Sequence, residues 1–299
     1  MKCVQLIDSL DYVANNCWQH QLARHVKFQC DTHLFVESKD IEKVLPNADV
    51  FLSTLKLRSV LRLRHEISKA LAGRKLFVYE QDPWEAFTDQ ATFPGAYSHI
   101  IDVMDASFIN TSRWWSNYIT SQGFRSTFAR MWVNSQYCDA QPAWSQRPIR
   151  VGYKGAMHPH RLQMIEALRE MGIDVTVLKS GNYDEWLSDL SKMKFFIHDE
   201  AGEQWTIGGT PIRKQCGWAK DVEIASRGCI ALRLYEDEAE HYALRQIPNI
   251  MTFANVNEVP SFISRAERHP EVTEQLAHQS VQYIASQTGW FLLRDLVGT

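Results

Sequence analysis

From Thr210 to Arg233 the chain reads Thr-Pro-Ile-Arg-Lys-Gln-Cys-Gly-Trp-Ala-Lys-Asp-Val-Glu-Ile-Ala-Ser-Arg-Gly-Cys-Ile-Ala-Leu-Arg, and this stretch holds the residue types best suited to chemistry. Just before it stand Gly208 and Gly209, small residues placed so that backbone amides at a helix N-terminus can approach an anion closely. The pattern predicts a helix. Thr210 is an N-cap residue, Pro211 suits the first turn, and Gly228 supplies the left-handed residue that ends it. Ile212, Cys216, Ala219, Val222 and Ala225 recur at steps of three and four, an inward stripe that leaves Lys220, Glu223 and Arg227 elsewhere. A short apolar strand, Cys229 to Leu232, follows. Glycines, a helix start, a late glutamate and a buried strand together fit a nucleotide-sugar site. The plain alternative is that Glu223 pairs with Lys220 or Arg227 on a solvated face, an arrangement that contributes little.

The elements that must position these residues alternate along the whole chain. In the first half, strands are expected at Val4–Ile7, His33–Val36, Val50–Ser53 and Lys75–Tyr79, with further short ones at Ile100–Ile101 and Phe108–Ile109. Helices fall at Asn16–Val26, Asp40–Leu45, Arg58–Ala72 and Arg113–Gln122, the last capped from Asn110-Thr111-Ser112. Such alternation is the signature of a parallel sheet covered by helices, and ligands of open parallel sheets bind beyond the carboxyl ends of the strands. The strand ending at Tyr79 therefore makes Glu80 and Asp82 the best-placed carboxylates of this half; capping of the next helix accounts for them equally well. Trp114, Trp115 and Tyr118 read first as core packing.

Asp139–Arg147, polar and containing Gln141-Pro142, is the best linker, and the alternation restarts after it. A strand at Ile149–Tyr153, a loop with Lys154, Gly155, His158 and His160, a helix at Arg161–Met171 and a strand at Val175–Leu178 make a βαβ unit of the kind that carries phosphates. A helix at Trp186–Met193 and a strand at Lys194–Ile197 lead to the Thr210 stretch. Helices at Asp237–Leu244, Val259–His269, Glu271–Ser286 and Trp290–Leu296 complete the pattern, with a strand at Ile250–Phe253.

A length of 299 residues suits two domains, and 45% hydrophobic residues suffice for two cores. A net charge of −3 gives no global basic footprint and argues against nucleic acid as the general partner. A local stripe such as Lys56, Arg58, Arg62 and Arg64 could meet phosphates, and a solvated helix face is its commoner explanation. The six cysteines form neither a CxxC pair nor a Cys/His cluster, so no metal site or disulfide framework is expected, and reduced thiols point to a cytoplasmic setting. No window approaches the length of about 20 apolar residues that a membrane-spanning helix needs.

Two α/β halves with the helix of interest in the second resemble the GT-B glycosyltransferase fold. Ala219-Lys220-Asp221-Val222-Glu223-Ile224-Ala225-Ser226-Arg227-Gly228-Cys229 resembles the K-x-x-E-x-x-A-x-G stretch of the family-4-like (group 1) retaining glycosyltransferases. Phe108-Ile109-Asn110-Thr111-Ser112-Arg113-Trp114 is similar to that group's strand, Ser, Arg/Lys, aromatic passage, and Met131-Trp132-Val133-Asn134-Ser135 stands where the group has a hydrophobic, Pro-Asn-Gly passage. The resemblance implies two Rossmann-like domains facing each other across a cleft: an acceptor-side domain over 1–140, a nucleotide-sugar domain over 148–285, and a tail helix over 286–299 that crosses back.

The resemblance further implies a hexosyltransferase-like transfer from a nucleotide-diphosphate sugar to an acceptor hydroxyl, with retention and without a metal or other cofactor. Glu223 would accept the ribose hydroxyls, since an ionised carboxylate is an acceptor only. Lys154, Gly155, Gly208, Gly209, Thr210, Arg213, Lys214 and Lys220 would surround the donor, the cations balancing the diphosphate, while Asp82 and Glu80 would orient the acceptor. Gln215 takes the place of a second, catalytic glutamate eight positions before Glu223, and the glycine-rich first loop is replaced by Asp8-Ser9-Leu10-Asp11. These departures keep two other readings open, a nucleotide-sugar epimerase of the same architecture and a catalytically silent binding subunit. The acceptor is left as a glycan, a small molecule or a modified nucleic acid.

Overall fold

The computed structural model describes residues 1–15, 17–42, 47–80, 82–129, 137–139, 141–179, 181–199, 205–212, 219–234 and 246–286. The chain divides into two compact units. The first comprises the N-terminal part through Met131 together with the segment Trp205–Cys216, and the second holds Trp132–Gln204 and Gly217–Thr288.

The first unit is built on a parallel sheet whose strands are β1 (Lys2–Ile7), β2 (Thr32–Glu37), β3 (Val50–Ser53), β4 (Leu76–Glu80), β5 (Ala106–Asn110) and β6 (Ser126–Phe128), in the order β2-β1-β3-β4-β5-β6. Strands β3, β4 and β5 are buried at every position, as befits a sheet covered on both faces. Val4, Leu6, Phe51, Leu76, Val78, Ala106 and Phe108 pack with Val60, Ile67, Leu71, Tyr97, Ile100 and Ile119 from the helices into one core.

The sequence expectation differs from the structure at several places here. Ile100–Ile101 is the end of a helix, Ala96–Ile101, because Tyr97 and Ile100 share a buried face. The single helix expected over Arg58–Ala72 is two, Leu57–Arg62 and Arg64–Leu71, broken at Leu63 where the backbone turns to φ −100°, ψ 10°. Strand β6, short and half-buried, has no counterpart in the sequence reading. By contrast Ser112 caps Arg113–Ser121 as expected, accepting the Trp115 amide at 3.1 Å.

The second unit carries β7 (Ile149–Lys154), β8 (Thr176–Leu178), β9 (Met193–Asp199), β12 (Ile230–Leu234) and β13 (Ile250–Phe253), all parallel, in the order β13-β12-β9-β7-β8. The chain leaves β7 for β8 on one side and returns to β9 on the other. The β7/β9 boundary is thus the topological switch point, where ligands of doubly wound sheets bind. Helices Pro159–Glu170, Tyr183–Lys192, Ala219–Ser226, Val259–Arg268 and Pro270–Ser286 flank it. The expected elements over 237–244 and 290–296 lie outside the described residues, as does part of the expected helix over 40–45.

The largest correction concerns the front of the Thr210 stretch. Thr210–Ile212 is not a first helical turn but strand β11, paired antiparallel with β10 (Trp205–Ile207). The described helix begins at Ala219. Gly208 and Gly209 form the two-residue loop, with φ of 55° and 75°, and positive φ at both central positions is what a tight type I′ hairpin needs. Their amides meet a carboxylate of this chain: Gly208 N–H donates to Asp89 Oδ1 at 2.9 Å and Gly209 N–H to Oδ2 at 2.8 Å. Gln90 accepts the Thr206 amide and donates to its hydroxyl, while Trp205 packs against Trp84 with ring centres 5.3 Å apart and planes tilted by 33°. The hydrogen bonds from Thr206, Gly209 and Gly208 hold the Asp89 carboxyl below its usual range.

Asp89→Ala leaves both loop amides without their acceptor. Hydrogen exchange at Gly208 and Gly209 should accelerate at least tenfold in this variant while exchange in β3 and β4 is unchanged; equal protection of the two amides would show that Asp89 does not hold the hairpin.

Candidate functional site

At the switch point of the second unit, β7 ends at Lys154 and β9 carries His198 close to its end, next to Arg233 of β12 in register. Glu223 sits on the helix Ala219–Ser226 and is fully buried. Its Oε2 accepts the Trp186 indole N–H at 2.8 Å, whereas Oε1 has no hydrogen-bond partner among the described residues. Burial pushes the carboxyl up to about 7, against the hydrogen bond from Trp186, the neighbouring Tyr183 hydroxyl and the charge of Lys220, all of which favour ionisation. This is no solvated helix face, and the pairing with Lys220 or Arg227 as a surface ion pair does not describe it. Arg227 instead donates to Asp139 at 2.6 Å and to the Tyr137 carbonyl at 2.7 Å.

The structure brings Glu223 together with three other residues singled out by sequence. Lys220 Nζ lies 5.9 Å from the centre of the Trp186 ring, so the indole is a shared neighbour of the lysine and the glutamate. Gly155, with φ 147°, lies so close to Lys220 that an added Cβ would fall 2.8 Å from its Nζ and 3.2 Å from the Tyr153 hydroxyl. A side chain there would displace the lysine. Lys154 is nearly buried and donates to Asp189 Oδ2 at 2.7 Å, on the same helix as Trp186. Burial works against Asp189 ionisation, but bonds from Lys154 and Lys192 outweigh it and keep its carboxyl below the usual range. The adjoining loop is tied at the Ala156 carbonyl, which accepts from Tyr153 at 2.7 Å and Arg161 at 2.9 Å.

A second buried cluster forms around Asp221, two residues earlier on the helix and facing other neighbours. Asp221 accepts from His198 Nδ1 at 3.1 Å and lies 3.3 Å from Arg233 Nη1, all three nearly or wholly buried. Burial holds the His198 pKa down despite the Asp221 carboxylate, so at neutral pH the ring is neutral and donates from Nδ1. Sequence reasoning assigned no role to Trp186, Asp189, His198, Asp221 or Arg233. Their partners lie 12 to 37 residues away in sequence, beyond any helical or strand spacing. Arg213, Lys214 and Gln215 lie outside the described residues. Gly208, Gly209 and Thr210 belong to the hairpin of the first unit.

In the first unit, Glu80 and Asp82 line a cavity of about 460 Å³ at the carboxyl ends of β3 and β4, together with Tyr12, Lys56, Arg58, Glu85 and Phe93. Glu80 Oε1 accepts the Asp82 amide at 2.8 Å, and the Asn110 side chain donates to the Glu80 carbonyl at 2.9 Å. Burial raises the Glu80 carboxyl to about 8, so at neutral pH it is protonated and able to donate, leaving Asp82 as the acceptor of the pair. Among the described residues no group of three or more His, Cys, Asp or Glu side chains could hold a metal ion, and no helix is long and apolar enough to cross a membrane.

No protein-family model and no curated protein matches the sequence. Solved structures match the fold along nearly the whole chain. Anabaena HepE in complex with UDP-glucose aligns with a TM-score of 0.63 at 10% identity, covering 100% of this chain and 98% of that one. An alpha-glucosyltransferase in complex with UDP and a 13-mer DNA containing a HMU base aligns with a TM-score of 0.63 at 10% identity, with 99% of both chains covered. Sucrose-phosphate synthase from Thermosynechococcus elongatus aligns with a TM-score of 0.56 at 9% identity over 95% of each chain. The chain has the GT-B glycosyltransferase fold, two Rossmann-like units each with its own parallel sheet.

Raised carboxyl pKa values set the sign of a pH effect. Glu80 binds its proton more tightly folded than unfolded, so its contribution to stability is complete below about pH 4.5 and is lost as pH rises toward about 8. Glu80→Gln keeps a neutral acceptor for the Asp82 amide and removes this loss. Melting temperatures at pH 5 and pH 8 should show the variant gaining on the wild type as pH rises; parallel curves would mean that Glu80 ionises freely in the folded protein.

Proposed function

We infer that the protein transfers a sugar from a nucleotide-diphosphate donor to an acceptor hydroxyl. The observation that carries the reading is Glu223: a fully buried carboxylate beside the switch point of a Rossmann-like unit, with one oxygen held by Trp186 and the other without a partner among the described residues. Burying such a group is costly unless something completes its hydrogen bonding, and two ribose hydroxyls donate what it lacks. The motif around Glu223 and the structural relatives that hold UDP or UDP-glucose support the same reading.

In this scheme Lys220 and the loop at Gly155 receive the diphosphate, and Lys154 joins them by exchanging Asp189 for phosphate. Arg213 and Lys214 complete the cationic set, Gln215 hydrogen-bonds the sugar, and Thr210 with its glycines serves the hairpin instead of the donor. The acceptor oxygen attacks the anomeric carbon as the bond from that carbon to the β-phosphate oxygen breaks. The bonding electrons leave with the nucleoside diphosphate, and the acceptor proton passes to the departing phosphate. Cations stabilise that developing charge, so no metal is needed, and departure and attack on one face give retention. Asp82 accepts from the acceptor hydroxyl while protonated Glu80 donates to a neighbouring oxygen.

Ribose hydroxyls favour ionised Glu223, so UDP affinity should follow its titration. Between pH 6 and pH 8 the ionised fraction of a group at about 7 rises about tenfold, and calorimetric UDP affinity should rise by a similar factor. In Glu223→Gln the affinity should be flat with pH and the donor kcat/KM lower by about tenfold, roughly 1.4 kcal/mol. A wild-type protein that binds none of UDP, GDP or ADP contradicts the enzyme reading.

A further inference from the structure

The cavity of the first unit opens beside a strongly basic segment. From Lys56 to His65 the sequence, Lys-Leu-Arg-Ser-Val-Leu-Arg-Leu-Arg-His, contains four basic residues and no acidic one, in a chain whose net charge is −3. The helix Leu57–Arg62 presents this segment. Arg58 and Arg62 stand four residues apart, one turn along the same face, with about 5–6 Å between their Cβ atoms. Lys56, Arg58 and Arg62 are exposed, and Lys56 and Arg58 line the cavity. Arg64 is turned to another task, donating from Nη1 to the Leu61 carbonyl at 2.6 Å at the helix end.

Aromatic surface accompanies the charge. Tyr12 and Phe93 line the same cavity, and Lys56 Nζ lies 4.3 Å from the centre of the Tyr12 ring. The acids beside the cations are Asp8, which accepts from the Lys56 amide at 3.1 Å and the Ser59 hydroxyl at 2.7 Å, and Asp82 and Glu85 of the cavity lining. Burial raises the Glu85 carboxyl while Arg58 and Lys56 pull it down, and Glu80, at about 8, adds no negative charge to the floor at neutral pH. A cavity of about 460 Å³ falls inside the range of about 300–1,000 Å³ usual for small-ligand sites. A file of cations spaced by a helical turn, leading to a pocket with aromatic walls, is the arrangement by which proteins track a phosphodiester backbone and stack its bases.

We propose that the edge formed by Lys56, Arg58 and Arg62, with the cavity beside it, binds single-stranded nucleic acid, its phosphates on the cations and one nucleotide in the cavity. The glycosyl-transfer reading is needed only to make that strand the acceptor; the binding surface stands on its own observations. A cavity that takes one nucleotide favours a strand whose base is free to enter over a paired one, whose base must first leave the stack.

The test uses the full chain and fluorescence anisotropy with a labelled oligodeoxynucleotide of about 12 nucleotides, single-stranded or as a duplex, at about 50 and 200 mM salt. Wild-type protein, Arg58→Gln/Arg62→Gln and the surface control Lys179→Gln are compared. The single strand should bind more tightly than the duplex. The double variant should lose about tenfold in affinity and reduce the slope of log K against log salt by about 1.4, two contacts at about 0.7 each, with the control unchanged. No binding of the single strand at low salt, tighter binding of the duplex, or affinity in the double variant within twofold of wild type overturns the proposal. UDP stabilisation is read on the same samples: its presence without oligonucleotide binding removes this proposal alone, and its absence removes the donor reading while the oligonucleotide data judge the surface.

Discussion

The second unit depends on a buried carboxylate held by an indole. Placing Glu223 out of water raises its pKa to about 7, and the Trp186 N–H at 2.8 Å offsets only part of that cost. The surrounding elements are arranged to tolerate it. The helix Tyr183–Lys192, fixed at its start by the reciprocal capping of Asn182 and Glu185, presents Trp186 to Glu223 and, three residues on, Asp189 to Lys154. One turn of one helix therefore sets both the acid and a cation of the site, at the carboxyl ends of the strands where the sheet changes direction.

The neighbouring cluster of Asp221, His198 and Arg233 shows the same economy of placement. Asp221 opens the helix that carries Glu223, and its two partners come from adjacent strands. Two buried carboxylates two residues apart on a helix point to different surroundings, one facing Trp186 and the other facing His198 and Arg233. Asp221 raises the pKa of Glu223, so the guanidinium and imidazole around Asp221 bear on how readily Glu223 ionises.

Much of this was written in local sequence. The apolar steps Ala219, Val222 and Ala225 and the closing Gly228 located the helix, and the βαβ alternation located the sheets. The front of the Thr210 stretch misled because Thr-Pro suits a helix start as well as a strand. The stronger local signal was Gly208-Gly209 between Trp205-Thr206-Ile207 and Thr210-Pro211-Ile212, a glycine pair between two short apolar runs, which marks a hairpin. The amides expected to take up a ligand anion take up Asp89 instead, a contact 119 residues apart that no periodicity announces. Trp186 was legible as a helical residue, but not as the partner of Glu223, because only the folded sheet brings them together.

The account rests on Glu223 as the group that receives the ribose of a nucleotide. A crystal structure of the protein soaked with UDP tests it most directly. The account predicts the two ribose hydroxyls within hydrogen-bond distance of the Glu223 carboxylate, at about 2.5–3.0 Å, with the indole of Trp186 still donating to Oε2. Electron density for UDP elsewhere, with Glu223 still buried and bonded to Trp186 alone, would contradict it.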